Sequence, residues 1–208
     1  MGLPKRIPVL TAAEYLEIER AAPYRSEFYQ GEMFAMVGGT PKHSRIKTNF
    51  LVELGVSLKG QPCAPYDSDL QILCPTGLYT YPDASVICGP LEVDAESPNC
   101  VTNPTLIVEV LSKGTEAYDR GKKFDHYRTI GALREYVLVS QDEPRIQFYL
   151  RNDDGSWRMN DVTGLEGTLR MESIGCELRL ADIYDRVNFS EREVEVAVDG
   201  QEQAPQTP

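Results

Sequence analysis

Apolar positions recur along this chain in two different periods, and the switches between them predict its elements. Residues 43–58 carry the helical period, with Ile46, Phe50, Leu54 and Leu58 on one face. His43 falls near the centre of that stripe and so points at the body of the protein. Gly60, Gln61 and Pro62 end the helix. Residues 11–21 predict a shorter helix, because Thr11 can cap it with Glu14 three positions on and Pro23 marks its end. A third helix is expected over 119–130, with Phe124, Tyr127 and Ile130 on one side and Gly131 as the residue that stops it.

The two-residue period fills the remainder. Residues 26–36 alternate around Gly31 and predict two short strands joined by a tight turn. Strands are expected at 69–74, 84–88 and 105–111, the last two separated by a polar, acidic loop with three prolines over 89–104. Residues 135–140 and 145–151 predict a hairpin across Gln141, Asp142, Glu143 and Pro144. Further strands and a closing segment follow at 157–162 and 169–183. The resulting order is an α/β fold (α+β mixed sheet) flanked by helices. One domain is expected over 1–199, and the polar, proline-containing tail 200–208 is expected to be disordered.

Composition narrows the setting. A chain of 208 residues suits a single domain with a full core. No apolar run approaches the ~20 residues of a membrane helix, and the first ten residues lack the apolar segment of a secretory signal, so a cytoplasmic location is the expectation. The five cysteines are scattered and show no CxxC spacing, which argues against a disulfide framework and a zinc ribbon. Cys74 and Cys88 in particular read as free thiols buried in strands. The net charge of −11 counts against tight, general DNA binding, whose affinity comes largely from neutralised phosphates. It leaves room for a local basic cleft of Lys113, Arg120, Lys122, Lys123 and Arg128, and for an acidic site balanced by a bound ion.

Candidate chemistry lies in three dispersed pieces: Asp83 after Tyr81 and Pro82, Glu109 within the apolar run 106–111, and the segment Asp119, Arg120, Gly121, Lys122, Lys123. An ionised glutamate inside a buried strand is costly unless compensated, and cations are the usual compensators. Two carboxylates from neighbouring strands plus a backbone carbonyl, for which Val110 is the candidate, make an oxygen-rich site suited to Mg²⁺ or Mn²⁺. Such an ion polarises a phosphoryl oxygen and lowers the pKa of a bound water, and a nearby lysine can steady the developing charge. Each carboxylate alone is better explained by a strand turn or a buried ion pair; the three pieces together favour chemistry.

These pieces resemble the Uma-two family, bacterial proteins described as restriction endonucleases of the PD-(D/E)xK nuclease superfamily. The matching stretches are 25–36 (RSEFYQGEMFAM), His43 with its helix, Pro82 with Asp83, 104–112 (PTLIVEVLS), 119–127 (DRGKKFDHY), Gly131 and 135–139. The resemblance covers residues 11–187 and implies a restriction-endonuclease-like core. Its motif aspartate falls on Asp83 and its motif acid on Glu109. The wider superfamily has a lysine two residues after the acid, where this chain has Leu111. The resemblance instead places the basic residue on the following helix, at Lys123, whose long stem can reach back to the strand. Asp119, Lys123 and Tyr127 share one helix face at i, i+4 and i+8, so an ion pair of Lys123 with Asp119 is the competing reading. Lys122 is expected on the solvated face.

The resemblance also makes His43 an auxiliary site residue, although a histidine on an apolar stripe is commonly a satisfied core group. Glu27 and Glu32 flank the turn at Gly31 and are either auxiliary or solvated, and Asp69 is a candidate lining residue in an acidic turn. Two functions follow. One is a metal-dependent endonuclease hydrolysing DNA phosphodiester bonds, working as a homodimer if both strands of a duplex are cut. The other is a catalytically silent nuclease fold acting as a dimeric binding module, in which the three charges survive as an ion-pair cluster. No helix-turn-helix, zinc finger or aromatic-basic stripe is present to read a DNA sequence.

Overall fold

The structure, a computed structural model, describes residues 9–36 and 38–190. Helix α1 (Ala12–Ala21) leads into strands β1 (Ser26–Tyr29) and β2 (Glu32–Ala35) and the long helix α2 (Pro41–Ser57). Strands β3 (Cys63–Asp67), β4 (Gln71–Leu73), β5 (Tyr79–Thr80), β6 (Ala84–Cys88), β7 (Cys100–Val101) and β8 (Leu106–Val110) follow. Helix α3 (Glu116–Tyr118), a π turn (Asp119–Lys123) and helix α4 (Phe124–Tyr127) then run without a break. Strands β9 (Glu135–Val139), β10 (Arg145–Arg151), β11 (Trp157–Thr163), β12 (Thr168–Met171) and β13 (Cys176–Arg179), with helix α5 (Leu180–Ile183), complete the order.

Local chemistry explains the entry points. Thr11 and Glu14 form the reciprocal capping box that opens α1. Thr40 caps α2 by accepting from the His43 N–H at 3.1 Å, with Pro41 in the first turn, where its missing N–H costs nothing. Gln30 and Gly31 both take positive φ, 49° and 89°, as a two-residue hairpin turn requires. Gly31 is also obligatory for space, since a Cβ there would stand 1.7 Å from Val9 Cγ1.

Among the described residues the main sheet has the order β11-β10-β9-β8-β6-β3, antiparallel except for the parallel pair β8–β9. That parallel step needs a crossover, and the α3–π–α4 helix supplies it. One face of the sheet packs on α2, α5 and β13 through Ile46, Phe50, Leu54, Val108 and Ile183. The other carries Ile107, Tyr127, Ile130 and Tyr136, with Phe124 stacked on Tyr136 and Tyr149. Each such side chain contributes roughly 1.5–3 kcal/mol when fully buried. A second sheet, β2-β1-β5-β4-β7, packs with α1 around Tyr15, Phe28 and Tyr79. No described helix is long and apolar enough to cross a membrane. Residues 191–199 of the expected domain and the expected tail 200–208 lie outside the described residues.

Three features depart from expectation. The third helix begins at Glu116, ends at Tyr127 and contains a π turn. The short strands β3, β5 and β7 are additional. Cys63 and Cys88, expected as isolated thiols, stand opposite each other in the β3–β6 register and form a disulfide. Cys74, Cys100 and Cys176 are free and buried, as expected of small apolar groups.

Candidate functional site

The strand register builds the site. Ala84 pairs with Val108 and Ser85 with Ile107, so one step further along the antiparallel pair Asp83 stands beside Glu109. The side chains and backbones interlock: the Val110 N–H donates to Asp83 Oδ2 at 2.8 Å, and the Asp83 N–H donates to Glu109 Oε2 at 3.4 Å. Every residue of β8 is buried, Glu109 included.

Two helices reach this pair from different sides. Helix α2 brings His43, whose Nε2 lies 3.1 Å from Asp83 Oδ2, and Lys47, whose Nζ lies 3.9 Å from Oδ1. Burial alone would raise the Asp83 carboxyl; the His43 hydrogen bond and charge, the Val110 N–H and Lys47 outweigh it and hold it below the usual range. The π turn brings Lys123, with Nζ 2.9 Å from Glu109 Oε1, 3.1 Å from Glu27 Oε1 and 3.6 Å from Asp119 Oδ1. Tyr127 donates its hydroxyl to Glu109 Oε1 at 2.8 Å.

Three carboxylates therefore share one buried ammonium. Burial pushes the Glu109 carboxyl up to about 8 against the pull of Lys123, with Asp119 and Asp83 adding to the rise. Asp119 is raised as well, chiefly by burial. Burial would lower Lys123, but Glu109, Tyr127, Glu27 and Asp119 hold it well above its ordinary value. The cluster has more acid than base, an imbalance that a divalent cation would relieve.

Asp83, Glu109, Val110, Lys123, His43 and Asp69 all line one cavity of about 860 Å³. Of the carboxylates that line it, Asp69, Asp83, Glu109 and Asp119, the pair on neighbouring strands is Asp83 with Glu109. No group of three or more His, Cys, Asp or Glu side chains suited to a metal occurs among the described residues. That chemistry fits Mg²⁺ or Mn²⁺, which are held by one or two carboxylates and keep several waters, better than an ion needing a full protein cage.

The candidates named from sequence separate clearly. Asp83, Glu109, Lys123, His43 and Glu27 converge, with Glu27 held by Lys123 and by a hydrogen bond from Thr80. Asp69 is an exposed cavity-edge residue 3.9 Å from Arg25. Glu32 is exposed at the hairpin end, opposite Tyr29, and does not join the cluster. Of the five cations that the acidity left room for, Lys113 and Lys123 line the cavity, whereas Lys122 is exposed, Arg120 pairs with Glu116 and Gln147, and Arg128 pairs with Asp125. Arg25 and Lys47 join Lys113 and Lys123 in lining it. Lys47 was legible as the residue one helical turn beyond His43. Arg25 opens the matching stretch 25–36, but nothing in its spacing points to the cavity.

A family model described as "Putative restriction endonuclease" (Uma2) matches residues 12–181. The Synechocystis proteins slr1290 and sll1609, both named as uncharacterized, are similar over most of their length. The first is 38% identical across 88% of this chain and 95% of its own. The second is 36% identical across 75% and 89%. A crystal structure from Anabaena variabilis, described as "a putative nuclease belonging to DUF820", aligns with a TM-score of 0.67 over 87% of this chain and 98% of that one. At 18% identity that likeness establishes the nuclease-type fold alone. The chain belongs to the Uma2 family, the Uma-two family that its motifs resemble.

Proposed function

We propose that this protein is a metal-dependent endonuclease that hydrolyses DNA phosphodiester bonds. One observation carries the reading: Asp83 and Glu109 stand side by side across β6 and β8, with Lys123 Nζ 2.9 Å from Glu109, and all three line one open cavity. Asp83, Glu109 and the Val110 carbonyl would hold Mg²⁺ or Mn²⁺. When bound, the ion supplies polarisation of a phosphoryl oxygen and a water of lowered pKa. Lys123 offers its ammonium to the charge that develops on the phosphate. Glu27 and Asp119 keep that ammonium protonated and aimed, and His43 with Lys47 keeps Asp83 ionised. Cutting both strands of a duplex would take two copies, which a two-fold dimer would provide.

The second reading, a silent dimeric binding module, draws on the same cluster, because Lys123 is already shared by three carboxylates as a structural ion pair would be. Calorimetry with Mg²⁺ and Mn²⁺ on wild type, Asp83→Ala and Glu109→Ala tests the metal site, and equal heats in all three would end it. Cleavage of supercoiled plasmid, single-stranded and branched DNA, with Lys123→Ala as control, separates the two functions. Wild-type activity no greater than that of Lys123→Ala would favour the module.

A further inference from the structure

The groups proposed for chemistry sit at the bottom of their cavity: the side chains of Asp83, Glu109 and Lys123 are only 14, 6 and 8% exposed. The rim is different. Tyr24, 54% exposed, lines the same cavity, and Arg25 follows it directly. Arg25, Asp69 and Tyr81 also line a neighbouring cavity of about 520 Å³, whose edge carries the exposed Leu91 and Val93. The two cavities therefore meet at Arg25, whose guanidinium lies 5.5 Å from the centre of the Tyr81 ring. An exposed aromatic face, a cation beside it and an apolar ledge beyond form a continuous path that ends at Asp83.

On the strength of the hydrolase reading above, we propose that this path is a platform for unpaired nucleotides of single-stranded DNA, with Tyr24 stacking on a base and Arg25 and Lys47 taking the flanking phosphates. Size supports it. A volume of about 860 Å³ is that of a pocket enclosing one small ligand, far less than a duplex occupies. A phosphate reaches Asp83 when its own nucleotide enters the cavity singly. Charge supports it too. A chain of net charge −11 is poorly suited to gripping a long duplex through its phosphates. Stacking on a π face needs few phosphate contacts and tolerates any base. Asp69, 3.9 Å from Arg25, tempers that cation without burying it, since the Arg25 side chain is 46% exposed.

Fluorescence anisotropy on the full chain tests this, using a short fluorescein-labelled oligonucleotide alone and annealed to its complement, in low salt with Ca²⁺ replacing Mg²⁺. The single strand should bind at least ten-fold more tightly than the duplex. Tyr24→Ala should weaken single-strand binding by ~5–150-fold, the range for one stacked base, and Tyr24→Phe should keep it. Arg25→Ala should weaken binding and lower the salt slope by about one. Equal affinity for both DNAs, undetectable single-strand binding, or wild-type affinity in Tyr24→Ala would each overturn the platform. Cleavage of the same single strand in Mg²⁺ or Mn²⁺, run in parallel, keeps the two proposals apart. Tyr24-dependent binding without cleavage would sink the hydrolase and leave the platform, whereas cleavage indifferent to Tyr24→Ala would do the reverse.

Discussion

Lys123 Nζ lies 2.9 Å from Glu109 Oε1, and the helical segment that carries it there is wound as a π turn from Asp119 to Lys123. Such turns are rare and often occur at functional sites. Here the turn directs both Asp119 and Lys123 inward while Arg120, Gly121 and Lys122 stay nearer solvent. Removing the ammonium would strand Glu109, Glu27 and Asp119 around an empty centre. Lys123→Met should therefore cost about 3–5 kcal/mol at pH 8. The cost should shrink at pH 5, where the carboxylates can take up protons. Urea melts at the two pH values check this, and an identical loss at both would contradict it.

Glu109 makes stability depend on pH in a definite direction. Its carboxyl is raised from 4.5 to about 8 in the folded chain, so between those values the folded state holds a proton that the unfolded state has released. Stability must then fall as pH rises through that window, by at most about 1.4 kcal/mol per pH unit. Asp119, also raised, acts in the same sense. Lys123, raised above 10.5, is charged in both states throughout the window and adds no slope. Melting in metal-free buffer from pH 5 to pH 8 should show the decline. Glu109→Gln should flatten it, and Mg²⁺ at pH 8 should restore wild-type stability by binding the folded state.

Gly39 guards the orientation of His43. A Cβ at this position would come 2.7 Å from His43 Nδ1 and 2.9 Å from its Cγ, close enough to push the imidazole aside. His43 Nε2 would then leave Asp83 Oδ2, 3.1 Å away. On the proposal that Asp83 holds the ion, Gly39→Ala should lower metal affinity about 10–100-fold, the usual effect of losing a ligand's supporting partner, while changing the melting temperature little. Calorimetric titration with Mn²⁺ alongside thermal melts is the measurement, and unchanged affinity would show that His43 does not position Asp83.

Much of this arrangement is legible in the sequence. The capping box at Thr11 and the turn at Gly31 have fixed local chemistry, and an acid inside the apolar strand 106–111 stands out against its neighbours. What escaped depends on contacts distant in sequence. β3 contains Pro65, which argues against a central strand, yet β3 lies at the edge of its sheet, where a missing N–H is tolerated. The π turn has no residue signature that a helical period would expose. Sequence leaves Glu27 either auxiliary or solvated, and only the placement of β1 brings it to Lys123.

The Cys63–Cys88 bridge follows from that same edge pairing, since the register sets the two residues opposite each other. Closing a segment with a sequence separation of 25 stabilises by about 3 kcal/mol through the unfolded chain. Dithiothreitol should lower the melting temperature of wild type but not of Cys63→Ala/Cys88→Ala. Thiol titration in denaturant without reductant should find three reactive groups rather than five. Five would show that β3 and β6 are held by backbone pairing alone.

Ser85 offers a test of the packing between the two acids' strands. Its Oγ is buried with no hydrogen-bond partner among the described residues, within a strand whose neighbours Ala84, Val86 and Ile87 are wholly apolar. A hydroxyl left unpaired in such surroundings keeps its desolvation cost and gains nothing in return. Ser85→Ala removes the oxygen at little loss of volume, so it should raise stability by about 1 kcal/mol and leave Mg²⁺ affinity as it was. Urea denaturation reads the first and calorimetry the second. A destabilised Ser85→Ala would mean that the hydroxyl has a partner in solution, and a weakened ion would place that partner at Asp83 or Glu109.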